Sequence, residues 1–461
     1  MAPAEHLQAD DASASEKTAE GGDKDGLGCE SFSTADAKAA LANVNPDDDF
    51  PDGGFRAWSV VAGVVAGNSA TFGYVNAWGV FQAYYEQNTL NHVNASTMCV
   101  PSAASTSSAD FRESAWIGSI QYSLIFFPSL ITGRLFDLGY FQGPLAVSSV
   151  ILIAATFLVA QCKEYYQFLL CQGILTGVCC GVIFGPNLGL VGHWFKRKRG
   201  LAMGIAASGS SIGGTVFPIA THKLIPLVGF KWTMRICAFM LLFCLAIANL
   251  TLRRRLPPKN VAGGLLNLKA FKSASYTIWS ISSLVAFLGL YTVLTYIDVS
   301  AQSFGISPEY SFYLIAIANG SSVFGRLGGG IISDRTGPMN VLIPSTLLSA
   351  VVTFVWPHVR TQGGLTAIAV IYGMLSGVYV SLFAVPLFEL GEISDLGRRT
   401  GMTLTMTAIG ALAGPPISGA VNTATGGYTA VGYYAGSAIV LCVILMLITR
   451  HLVLKRLWGK I

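Results

Sequence analysis

Twelve apolar runs alternate with polar links along the chain, at residues 57–85, 114–132, 144–161, 168–192, 201–225, 232–252, 276–298, 311–333, 340–357, 365–388, 401–421 and 433–452. A bilayer core about 30 Å thick needs roughly 20 apolar residues in a helix. Each run meets that length closely enough to be read as a spanning helix. The expected fold is therefore an all-α membrane protein with twelve transmembrane helices. The two longest links are 86–113 and 253–275. Residues 1–52 show no apolar periodicity and are rich in Ala, Ser, Gly, Asp and Glu. Such a segment buries too little surface to offset its ordering entropy, and a disordered acidic tail is expected. It also lacks the basic and then apolar regions of a signal peptide.

Composition supports the membrane reading. Hydrophobic residues make up 52% and charged residues 11%, against about 25% charge in soluble domains. The net charge is only +5, with basic residues in short scattered groups, so a nucleic-acid partner is excluded and the bilayer is the expected environment. Lysine and arginine also choose the orientation. With both termini cytoplasmic, 22 of the 29 fall on the inner side and five on the outer side. Asn94 then lies in a sequon in the outer loop, a candidate glycosylation site. Cys99 and Cys162 fall in outer loops, where a disulfide is possible; six other cysteines sit in apolar runs and are read as packing residues.

The halves of the chain repeat. Gly133 to Asp137 follows span 2 and Gly330 to Asp334 follows span 8, both as Gly-x-x-x-Asp, 197 apart. Gly200, Gly209 and Gly213 correspond to Gly401, Gly410 and Gly414, each 201 apart. Together these indicate two pseudo-symmetric six-helix bundles, expected at 53–252 and 276–452, with a cytoplasmic central loop at 253–275 and a C-terminal tail at 453–461. Paired bundles serve alternating access around a site at their interface. The repeated carboxylates, Asp137 and Asp334, can accept hydrogen bonds from exposed N–H groups at a neighbouring helix N-terminus, and so latch one face.

Arg326 is the sharpest single signal. It lies eight residues before Asp334, about 12 Å into the membrane at 1.5 Å per residue. An arginine there costs roughly 2.5–3.5 kcal/mol on insertion scales, so it should not face lipid. Asn319, Ser322 and Arg326 share one helix face. Two readings stay open from the residues alone. The guanidinium grips a substrate carboxylate, or it is structural and tied to neighbouring carbonyls. Asn68, Asn76, Asn187, Tyr291, Tyr296, Tyr372 and Tyr379 are further polar or aromatic groups within spans, suited to a solute with a ring or several hydroxyls, or to helix-to-helix bonding.

The Gly-x-x-x-Asp loops resemble those of the major facilitator superfamily. Four further stretches resemble its monocarboxylate-transporter-like family, especially fungal members. They are Pro51-Asp52-Gly53-Gly54; His193 to Ala202, reading HWFKRKRGLA; Gly325-Arg326; and Gly414-Pro415-Pro416-Ile417-Ser418-Gly419, followed by Tyr434-Ala435-Gly436. The resemblance spans about residues 51–452. It implies a secondary-active transporter of a small organic solute, a monocarboxylate or a carboxylate-bearing metabolite, with Arg326 as substrate-binding arginine. Asn76, Ser322, Asn319, Tyr291 and Tyr296 would complete the pocket, and Asp137, Asp334 and Arg335 would gate it. The sequence also departs from the family. Ser322 stands where an Asp is usual one turn before the arginine, and Asn76 where span 1 usually has a lysine. The first loop lacks the basic residues usual after Asp137. No Asp or Glu lies in the middle of any span, so proton coupling, and hence symport, is an open question. An exporter of a secondary metabolite, or an importer of a vitamin-like heterocycle, is the alternative on the same fold. A nutrient sensor and a membrane enzyme are weaker rivals. No cofactor is expected, and no phosphate-cradling Gly-x-x-x-x-Gly-Lys loop occurs. The plasma membrane is the expected location, with the vacuolar membrane second.

Overall fold

A computed structural model of the chain describes residues 50–85, 117–256, 264–391, 395–455 and 459. Every regular element among the described residues is helical, and each of the twelve apolar runs is helical over most of its described length. Among the described residues, eight helices are long and apolar enough to cross a bilayer by length and composition. One of these is double. Arg199–Thr251 leaves helical geometry at Gly229 (φ 78°, ψ 163°), so spans 5 and 6 are separate helices meeting there. A glycine takes that conformation without a Cβ clash. Span 8 is a single helix, Pro308–Thr336, whose polar residues lower its hydropathy. Spans 1 and 2 are interrupted. The first runs through Phe55–Asn68, a π-helical turn at Ser69–Gly73 and Trp78–Tyr84. The second breaks into turns at 125–128 before Ser129–Asp137.

The halves meet along two seams, span 5 against span 8 and span 2 against span 11. Glycines make both seams tight. A Cβ on Gly204 would sit 2.3 Å from the Arg326 carbonyl oxygen, and one on Gly133 would sit 2.2 Å from that of Gly397. Backbone therefore packs on backbone, as small residues allow between membrane helices.

These contacts refine the repeat. Gly330 faces Gly200, and Gly133 faces Gly397 and Gly401. Gly200 thus matches Gly397, at an offset of 197, and not Gly401 as the sequence pairing had it. Farther along, the offset of 201 holds. Gly209 and Gly213 pack on Val65 and Ser69 of span 1, while Gly410 and Gly414 pack on Leu284 and Leu288 of span 7. The difference between the offsets is four residues, close to one helical turn, which span 11 carries in excess of span 5. A shift of one turn keeps the same helix face, which is why pattern matching cannot see it.

The Asn94 sequon and Cys99 lie outside the described residues, as do residues 1–49 of the tail expected at 1–52. Cys162 carries a free thiol among the described residues.

Candidate functional site

A narrow chamber with a cavity volume of about 30 Å³ lies between the halves. Spans 1, 2, 4 and 5 supply Asn68, Phe72, Phe126, Phe184, Asn187 and Ser210, and spans 7, 8 and 10 supply Phe287, Tyr291, Arg326 and Phe383. Four of the aromatics sit where a helix is interrupted. Phe72 lies in the π-helical turn of span 1, Phe126 in the turns of span 2, Tyr291 at the break of span 7, and Phe383 at the end of the regular helix of span 10. Irregular backbone at membrane depth is tolerated where it lines a cavity or is buried in protein. It also leaves carbonyls free, and that of Leu290 accepts from the Tyr372 hydroxyl at 2.5 Å. The rings pack edge to face: Phe72 with Phe184 at 4.7 Å and Phe126 with Phe287 at 5.1 Å between centroids.

The polar part of the chamber is held by span 5. Arg326 donates through one terminal nitrogen to the Ala207 carbonyl and the Ser210 hydroxyl. Its Nε is buried without a hydrogen-bond partner among the described residues. The Asn68 amide donates to the adjacent carbonyl, Ala206, at 2.8 Å, and Asn187 donates to the Asn68 Oδ1 at 3.3 Å. One turn from Arg326, Ser322 and Ser211 share a hydrogen bond of 2.5 Å, and Asn319 donates to the Gly214 carbonyl at 3.3 Å. The shared face of span 8 is therefore pressed onto span 5, with the guanidinium at the chamber wall. The structural tie of Arg326 to a neighbouring carbonyl is present, and the residue also lines the chamber.

At one end of the molecule both repeated carboxylates close on helix N-termini. Asp334 accepts from the backbone N–H of Gly200 at 2.6 Å and of Leu201 at 2.9 Å. Asp137 accepts from those of Gly397 at 3.0 Å and Arg398 at 2.8 Å. Each bond pair satisfies orphan donors in the first turn of a helix from the opposite half. Burial pushes the Asp137 carboxyl up to about 6, outweighing the two amides, which act to lower it. Arg199 reinforces the closure, with Glu389 at 3.4 Å and its guanidinium 4.2 Å from the Phe388 ring centre. Arg335 is exposed beside Asp334.

The sequence model described as Major Facilitator Superfamily matches residues 59–392. The chain belongs to that superfamily. This transporter is 36% identical over 416 residues to "MFS-type transporter 1" of Ophiocordyceps sp., covering 88% of each chain. It is also 36% identical over 394 residues to "Aspyridones efflux protein apdF" of Emericella nidulans, covering 85% of this chain and 77% of that one. Among solved structures, the human organic anion transporter MFSD10 (TETRAN) shares the fold with a TM-score of 0.69 and 16% identity, over 85% of this chain and 99% of that chain.

Within this superfamily transporter the residues singled out from sequence separate into three groups. Arg326 and Tyr291 line the chamber. Asn76, Asn319 and Ser322 lie beside it. Asn76 accepts from Tyr122 at 3.4 Å, and the Tyr122 ring packs 4.9 Å from that of Tyr291. Tyr296 points elsewhere and donates to the Pro415 carbonyl at 2.9 Å, reaching it past Gly419. The phenylalanines were not singled out, since in a chain this apolar a phenylalanine carries no distinguishing signal. Asp52 was quoted only as part of a motif. Its carboxylate accepts from the backbone N–H groups of Lys196 at 2.7 Å, Arg197 at 2.8 Å and Lys198 at 3.3 Å. The turn that presents Gly200 and Leu201 to Asp334 is therefore itself held by the segment before span 1.

Proposed function

We propose that the protein exports an acidic, ring-bearing secondary metabolite by alternating access. The observation that carries this reading is Arg326. It is a buried cation whose Nε–H has no partner among the described residues, and it lines an aromatic chamber shared by both halves. A guanidinium suits an anionic oxygen group, and a cage of rings suits a flat conjugated body. No carboxylate lies in the middle of any span to neutralise Arg326, which leaves that role to the cargo. A similar fungal protein is named an efflux protein for aspyridones, which supports export of a secondary metabolite over import of a small nutrient acid.

In this reading Asp137 and Asp334 gate the cytoplasmic face, and both termini lie on that side, as the arginine and lysine distribution implies. The plasma membrane is the site of action. No proton is routed through a chamber carboxylate. The test is a metabolite profile of cells lacking the protein, inside and outside. Export predicts that an acidic aromatic compound accumulates inside and is depleted outside.

A second reading, a monocarboxylate porter, is favoured by the Pro51 to Gly54 and Gly414 to Gly419 stretches. Uptake of a two- to four-carbon monocarboxylate into proteoliposomes would support it. The absence of a span 1 lysine and the ring-lined chamber stand against it.

A further inference from the structure

The amides of Asn68 and Asn187 form a second polar pole of the chamber, and its polarity follows from the hydrogen bonds. An amide oxygen and nitrogen are assigned by their network, and here the network begins at a fixed point. The Ala206 carbonyl can only accept, so the group facing it at 2.8 Å is the Asn68 Nδ2. That turns the Asn68 Oδ1 toward Asn187, whose Nδ2 donates to it at 3.3 Å. The Asn187 Oδ1 is what remains. Asn187 is fully buried, it lines the chamber, and this oxygen has no partner among the described residues. A buried acceptor without a donor is uncommon and calls for an explanation.

Resting on the proposed function, we infer that the Asn187 Oδ1 is a ligand acceptor, so that the cargo is an aromatic anion bearing an O–H or N–H donor apart from its acidic group. Span 5 sets the two poles together, because its consecutive carbonyls, Ala206 and Ala207, hold Asn68 and Arg326 respectively. One pole comes from spans 1 and 4, the other from span 8. A cargo that spans both ties the two halves of the transporter to each other, which a small acid held only at Arg326 does not.

The test uses the full-length protein in nanodiscs and two fluorescent probes, 6-hydroxy-2-naphthoate and 6-methoxy-2-naphthoate, which differ in a single O–H donor. A buried acceptor left unpaired on binding costs affinity, and sites built to bond a hydroxyl reject the analogue that lacks it. Wild type is expected to bind the hydroxy probe about 10-fold or more tightly than the methoxy probe. Asn187→Leu is expected to bring the ratio close to one, and Asn187→Gln, which keeps an amide oxygen, to restore part of it. Equal binding of both probes by wild type overturns the acceptor role while leaving the acidic-ring reading intact. A preference that persists in Asn187→Leu also overturns it, by placing the acceptor elsewhere. Failure of both naphthoates to bind wild type defeats the proposed function, and the inference with it. If Asn187→Leu does not fold, Asn187→Ala is read for the same loss of preference.

Discussion

The Asp334 carboxylate lies 2.6 Å from the backbone nitrogen of Gly200, a residue 134 positions earlier in the chain and in the other half of the molecule. The symmetry mate of this contact joins Asp137 to Gly397 at 3.0 Å. Both reach helix N-termini; at Asp334 a bond to an ionised carboxylate is worth about 1.5–3 kcal/mol, whereas burial at Asp137 favours the protonated form. Asp334→Asn keeps the shape but weakens the acceptor. A cysteine placed at the buried Ser129, in a cysteine-free background, should label faster from the latched face in Asp334→Asn than in the parent. Unchanged labelling would remove the latch from the gating scheme.

Asp52 holds the turn that offers Gly200 and Leu201 to Asp334. Asp52→Ala should therefore mimic Asp334→Asn in the same labelling assay. The double variant should be less than additive, because both act on one contact. Strict additivity would separate the two residues.

Asp137 supplies a pH dependence. Its carboxyl, buried in the latched state, is raised to about 6 from an ordinary 3.8. A raised acid means that the latched state holds a proton more readily than an open, solvated one. Its contribution to latching is fully present below about pH 4 and is lost as pH rises through about 6. Labelling at position 129 should accelerate between those values and level off above them. Asp137→Asn should flatten that window.

The latches were legible in the sequence because a repeated Gly-x-x-x-Asp beside a short loop leaves a carboxylate few partners other than a helix end. Arg326 was legible by its depth, since an unneutralised charge there must face something polar. The chamber walls were not. Phe72, Phe126, Phe184 and Phe287 resemble any lipid-facing phenylalanine until the helices are packed, the first two turned inward at interruptions and the other two on regular helices. Tyr296 could not be placed because its hydroxyl bonds a backbone carbonyl on span 11, and the sequence does not show which carbonyls are within reach. The register of spans 5 and 11 was legible at Gly209 and Gly213 and failed at Gly200, where one extra helical turn shifts the match without changing the face.

Glycine tightness gives a structural control. Gly204→Ala would place a Cβ 2.3 Å from the Arg326 carbonyl oxygen, whereas Gly320→Ala meets nothing within 4 Å. The first should lower thermal stability by about 1–3 kcal/mol through overpacking. The second should leave stability unchanged or raise it by up to about 1 kcal/mol through helix propensity. Melting curves of the two variants in the same detergent would check this. Equal losses would mean that the span 5 and span 8 backbones do not meet at Gly204.

The proposed role of Arg326 is charge recognition in the chamber. Binding of 2-naphthoate and of its neutral amide, 2-naphthamide, to wild type and to Arg326→Gln in nanodiscs reads it out. A charged hydrogen bond worth about 1.5–3 kcal/mol predicts a wild-type preference for the anion of about 10-fold or more. That preference should vanish in Arg326→Gln while the amide binds as before. An Arg326→Gln protein that still prefers the anion as strongly as wild type would contradict the assignment of Arg326 as the anchor.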